Sequence, residues 1–229
     1  MDKKLTLGEV NDRIVQCSRC SRLVAWREET ANTRVRRYAD QEYWGKPLIG
    51  FGDRQARVIL VGLAPAAHGG NRTGRMFTGD ESGNWLFQAL YSVGFANKPE
   101  SLRVDDGLRL TDCYITASVR CAPPKNKPTP DEFANCRSFL LAELAMFTRM
   151  RVVVGLGKIG FDAASSALKE LGRITFARKP AFVHGARYDF DGITLLGTYH
   201  PSQQNTFTGK LTRPMLASVL RTARRIADQ

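Results

Sequence analysis

The sequence predicts an α/β fold: a three-layer sandwich in which helices cover both faces of a central four-stranded parallel sheet. Three observations carry this. Four short runs are apolar and rich in β-branched residues: RVILVG at 57–62, CYITASV at 113–119, RVVVG at 151–155 and ITLLGT at 193–198. Continuous apolarity over so few residues suits strands buried on both faces. Stretches with helical periodicity and helix-start residues separate the runs, and such alternation belongs to parallel sheets with helical crossovers. Finally, loops of chemically unusual composition follow the strands, and in parallel sheets ligands bind at the carboxyl ends of strands.

In chain order, residues 7–30 read as one helix carrying a Cys-x-x-Cys pair, followed by a polar, arginine-rich stretch to about residue 45. Residues 48–52 are a loop or short strand. After the first strand comes a glycine-rich loop over 63–79. Ser82 then offers a helix cap before an apolar face of Trp85, Leu86, Ala89 and Leu90. Residues 121–130, CAPPKNKPTP, form a rigid proline loop. Thr129-Pro130-Asp131-Glu132 joins a threonine cap, a proline at the first position and a glutamate at the third, so a helix should run from there to about Arg149. Further helices are expected over 159–171 and 213–227. There is no internal repeat and no evident linker, so residues 1–229 are read as a single domain. The loops over 62–80, 117–128 and 198–208 should meet at the site.

Hydrophobic residues make up 43% of the 229, enough for a substantial core. No apolar run reaches the length of a membrane helix, and no apolar segment follows the charged MDKKLTLGEV start; a cytoplasmic protein without a membrane partner is expected. Lys and Arg number 34 against 22 acidic residues, a net charge of +12. That excess favours nucleic acid as partner, with plain solubility charge as the alternative. Five cysteines, an odd number in such a chain, argue against a disulfide framework.

Cys17 and Cys20 form a tight pair, but Cys121 and Cys136 do not. Zinc ribbons use two tight pairs, whereas four thiolates from separated segments suit a 4Fe–4S cluster better. The alternative is that only the first pair matters; Cys113, within a strand, reads as core. In the loop over 62–80, small residues and a proline let backbone approach a flat ligand. Phe77 and Asp80 suit a pocket that stacks a planar ring and activates water, unless this is an ordinary basic surface loop. His200, fixed by the proline after it, stands at the end of the last strand, either facing a ligand or satisfied internally. Gly155-Leu156-Gly157-Lys158-Ile159-Gly160 matches a dinucleotide-binding fingerprint. The expected acidic residue about twenty positions on is absent, so close packing is the better reading and no nucleotide cofactor is expected.

Taken in order, GLAPAAHGGNRTGRMFTGD, CAPPKNKPTP with Cys121 and Cys136, HPSQQNTFTG, and the Cys17–Cys20 pair resemble the uracil-DNA glycosylase superfamily. The resemblance extends from about residue 14 to 210 and is closest to the fifth family of the iron–sulfur branch. It implies a monofunctional hydrolase that flips uracil out of double-stranded DNA and cuts the N-glycosidic bond. It implies a structural 4Fe–4S cluster on Cys17, Cys20, Cys121 and Cys136, and, by analogy, a monomer. The chain departs from the related fourth family at two positions: Leu63 replaces a glutamate and Ala117 replaces a uracil-reading asparagine. An apolar pocket rejects analogues weakly, so hypoxanthine and other damaged bases are expected substrates as well. Asp80 would orient the water, His200 would stabilise the departing base and Asn126 would help hold the water. Phe77 and Ala117, with Gly62, Leu63, Ala64, Pro65 and Ala66, would bind the base. Arg72, Arg75, Ser202, Gln203, Gln204 and Asn205 would contact DNA. The competing expectation is a non-catalytic basic nucleic-acid-binding protein with a structural metal cluster.

Overall fold

The computed structural model describes residues 5–229; residues 1–4 of the expected 1–229 domain lie outside the described residues. Four strands form the parallel heart of the sheet: β2 (Val58–Gly62), β3 (Cys113–Ala117), β4 (Val152–Leu156) and β6 (Ile193–Thr198). Every residue in them is buried. Two further strands extend the sheet. β1 (Phe51–Gly52) pairs antiparallel with β3, and β5 (Arg187–Phe190) pairs antiparallel with β6, giving the order β1-β3-β2-β4-β6-β5. The expected four-stranded parallel sheet is therefore the centre of a mixed six-stranded one.

Alternation along the strands divides the core in two. Val58 and Leu60 face one side, where they pack with α4 (Glu81–Ser92) and α8 (Arg213–Ala227). Ile59 and Val61 face the other, against α5 (Pro130–Met146) and α6 (Gly157–Glu170). These are the three expected layers. The Thr129 cap behaves as its chemistry dictates: its hydroxyl accepts from the Glu132 amide while the Glu132 carboxylate accepts from the Thr129 amide. Farther along α5, buried Glu143 accepts hydrogen bonds from Tyr114 and Thr116 on β3 and pairs with buried Arg120. That network fixes α5 against the strand whose end opens into the site.

Two local expectations need correction. The helix expected over 7–30 is two helices, α1 (Leu7–Val15) and α2 (Ser21–Thr33), with Cys17 and Cys20 in the corner between them. The two pieces bury different faces: Val10 and Ile14 pack on Phe139, whereas Leu23 packs on Val119, Cys121 and Cys136. One straight helix cannot reach both. Secondly, α4 is capped by Asp80 rather than Ser82, the Asp80 carboxylate accepting from the Gly83 amide at 2.9 Å. Two one-turn helices also lie in regions read as loops, α3 (Gly70–Thr73) and α7 (Gln203–Phe207). No helix among the described residues is long and apolar enough to cross a membrane.

Candidate active site

The loops after β2, β3 and β6 meet, as the strand order requires, around one cleft of about 1410 Å³ at the carboxyl edge of the sheet. Leu63, Ala64, Ala66 and Ala117 line it, a stretch of wall with no side-chain donor or acceptor. Gly62 and Ala117 are register partners on β2 and β3. Ala117 is 1% exposed.

Phe77 and His200 stand together on the wall, ring centroids 5.7 Å apart and planes tilted by 31°. Phe77 holds φ at +53°, a left-handed backbone that a bulky residue adopts only when its surroundings enforce it. His200 is held from below. The Asn205 amide donates to its carbonyl at 2.9 Å, and a Cβ on Gly157 would come within 3.1 Å of the His200 Cβ. Burial pushes the His200 imidazole down to about 4, so it is neutral at physiological pH.

Asp80 lines the same cleft. One carboxylate oxygen caps α4; the other lies against Gly69, where a Cβ would come within 2.0 Å of it. Burial raises the Asp80 pKa above the usual carboxylate range, against the lowering pull of the Gly83 amide and of Arg72. Asn126 reaches the cleft from the exposed tip of the proline loop, where it and Lys125 both have left-handed backbones. Gln203 and Gln204 are exposed on α7, while Ser202 caps that helix.

Arg72 lines the cleft, whereas Arg75 is not among its lining residues. Arg72 is 9% exposed; it donates to His68 O, Gln41 and Gly79 O and stacks on Tyr38. Arg75 is 4% exposed and pairs with Asp106 at 2.6 Å. Both brace the glycine-rich loop from inside. The exposed cations on the cleft are instead Arg37, Lys125, Lys158 and Lys210. Lys125 lies in the proline loop and Lys158 in the glycine run 155–160, and neither stood out there as a DNA contact.

The glycine run 155–160 is packing. A Cβ on Gly155 would meet Phe161 at 2.2 Å and one on Gly160 would meet the Val61 carbonyl at 2.2 Å.

Behind the cleft the cysteines gather. Cys121 and Cys136 pack with Leu23, Val119 and Cys20. The Arg27 guanidinium, 6% exposed, donates to Cys121 Sγ at 3.1 Å and to the Cys17 carbonyl at 3.3 Å. Asn135 donates to Cys20 Sγ at 3.5 Å. Burial pushes the Cys121 thiol up to about 11 and raises Cys136 as well. Among the described residues no three His, Cys, Asp or Glu are grouped as one metal ion requires. A four-iron cluster holds one thiolate per iron and spaces them more widely. The donor chemistry fits such a group: Arg27 is buried beside Cys121, its Nε lacks a partner, and its nearest carboxylate, Glu28, lies 3.6 Å away and exposed. Thiolates would supply the missing counter-charge.

Comparison with known proteins agrees with this geometry. The model of the uracil DNA glycosylase superfamily matches residues 49–224. The chain is 48% identical to the type-5 uracil-DNA glycosylase of Mycobacterium leprae, over 97% of this chain and 96% of that protein. It is 50% identical to the type-5 uracil-DNA glycosylase of Thermus thermophilus, over 93% and 95%. Similarity to the type-4 uracil-DNA glycosylase of Thermotoga maritima is lower, 31% over 68% and 69%.

Proposed function

The chain belongs to the uracil DNA glycosylase superfamily, and from that premise we propose that it flips uracil out of double-stranded DNA and hydrolyses the bond between base and sugar. An abasic site is left behind. The observation that carries this reading is the pairing of Phe77 with a neutral, partly buried His200 in the cleft that Asp80 lines. A planar base stacks on Phe77. The backbone of Leu63, Ala64 and Ala66 approaches its carbonyl edge, closely because the two alanine side chains are small. As the bond breaks, negative charge grows on the base and positive charge on the sugar. The His200 N–H, aimed where the anion develops, stabilises it without first losing a proton. Asp80 orients the attacking water and accepts its proton, and its raised pKa makes it a better base than a free carboxylate. Asn126 helps to hold that water. Gln203 and Gln204 reach the duplex, and Lys125, Lys158 and Lys210 take phosphates.

The apolar wall at Leu63 and Ala117 leaves no buried polar group unpaired when the base changes, so hypoxanthine and other deaminated bases are accepted too. Cys17, Cys20, Cys121 and Cys136 hold a 4Fe–4S cluster that ties the N-terminal helices to the proline loop. When bound, it supplies cross-links rather than electrons. The whole chain works as one domain and as a monomer, in the cytoplasm.

The test is release of free uracil from a duplex labelled in that base, with the abasic site revealed by alkali. Release is expected. A folded protein that binds the duplex and frees no uracil would be a nucleic-acid-binding module instead.

A further inference from the structure

His68 lines the cleft on the wall that carries Tyr38 and Arg37. Its Nδ1 lies 3.1 Å from the hydroxyl of Tyr43, and the rings meet edge to face at 6.1 Å. Tyr43 is 6% exposed. The Val35 amide already acts on its hydroxyl oxygen. A buried hydroxyl proton needs an acceptor, and Nδ1 is the one present. The proton inventory then follows. Tyr43 donates, Nδ1 accepts, and the ring's own proton is carried by Nε2. No hydrogen bond to Nε2 occurs among the described residues, and Nε2 is not sealed from solvent. That leaves an oriented N–H on a residue that lines the cleft. Arg37 stands exposed on the same rim, in no ion pair among the described residues.

We propose that the Tyr43–His68 pair is a phosphate-binding device: His68 Nε2–H donates to a backbone phosphate oxygen of the damaged strand, with Arg37 supplying the charge beside it. This rests on the chain's acting on DNA. His68 does not enter the bond-breaking step. Its function is to seat one phosphate at the cleft that Lys158 and Lys210 also line, so that the strand is held while the nucleotide is out. Its contribution is one directed hydrogen bond, and that separates it from every lysine around the cleft.

The probe is a duplex carrying a tetrahydrofuran abasic analogue, so binding is read without turnover. His68→Ala is expected to weaken Kd about tenfold, the size of one hydrogen bond to a charged oxygen. The slope of log K against log salt should stay unchanged, whereas Arg37→Ala should reduce it by about one. Tyr43→Phe should weaken binding in the same direction. His68→Gln, whose amide N–H reaches a similar place, should restore most of it and guards against a folding defect in the alanine variant. Replacing flanking phosphates one by one with methylphosphonate should locate a single position at which wild type loses affinity and His68→Ala does not. Unchanged Kd in His68→Ala would overturn the proposal. So would a lowered salt slope in that variant, or additive losses at every phosphate. Failure of the wild type to release uracil, with these binding results intact, would count against the glycosylase reading alone.

Discussion

Asp80 and His200 are moved off their ordinary titration ranges by one cause acting in opposite directions: burial favours the neutral form of each. For Asp80 this raises basicity, as the proposed activation of water requires. Asparagine caps a helix about as well as aspartate, so Asp80→Asn keeps the α4 cap and removes the charge. Its single-turnover rate is expected to fall by roughly a hundredfold or more with the melting temperature held; a loss below about tenfold, 1.4 kcal/mol, would remove Asp80 from the chemistry. For His200 the consequence is also one of stability. Its folded pKa, about 4, lies below the unfolded value near 6.5. Between those pH values the unfolded chain binds more protons, so stability rises with pH across the window. It is fully present above about 6.5 and lost as pH falls toward 4. Urea denaturation of wild type and His200→Gln from pH 4.5 to 7.5 should show a gap that changes by up to roughly 3 kcal/mol over that window. A constant gap would mean that His200 is not enclosed as described.

At the scale of elements, the turn from β4 into α6 shapes the His200 wall. Gly157 has φ +79° and lies against His200, whereas Gly172, with φ +66°, has open space around the missing Cβ. Alanine at either position should cost about 1–2 kcal/mol in backbone strain. Only Gly157→Ala should also lower the rate of base release per folded molecule, since only there does the methyl meet the histidine. Equal activity in both variants would detach this turn from the site. What was legible in the sequence follows the same logic of local against distant causes. The four buried strands were visible because their apolar runs owe nothing to context, and the Thr129 capping box because both partners lie within four residues. The break between α1 and α2 was not, since it arises from two faces packing on different distant neighbours. Ser82 read as the cap of α4, and the fold of the loop before it put Asp80 there instead. The RYDF edge strand β5 and the polar α7 carry no periodic signal. Phe77, Asp80 and His200 stood out by residue type within their loops. The buried fate of Arg72 and Arg75 depended on Gln41, Tyr38, Asp106 and Ser101, which no local pattern connects to them.

For the whole molecule, a net charge of +12 and exposed cations lining one cleft describe a surface suited to a duplex. Affinity should fall steeply with salt while the release rate at saturating enzyme barely changes, because counterion release belongs to binding and not to the bond-breaking step. The cysteine site is a separate test of architecture, since it joins the helix corner at Cys17 and Cys20 to Cys121 at the base of the proline loop. Anaerobically purified protein should contain iron and absorb in the visible, and Cys121→Ser should lose both iron and thermal stability; zinc alone in a colourless protein would replace the cluster with another metal. The proposed activity is that of an apolar cleft, with Phe77 to stack, His200 to stabilise and Asp80 to activate, excising bases without reading uracil strictly. Its most direct measurement compares single-turnover base release from otherwise identical duplexes carrying uracil or hypoxanthine. Release of both is expected, with both rates collapsing together in Asp80→Asn. Release of uracil alone would show that a polar group in the cleft reads the base, and release of neither by a folded, duplex-binding protein would contradict the account.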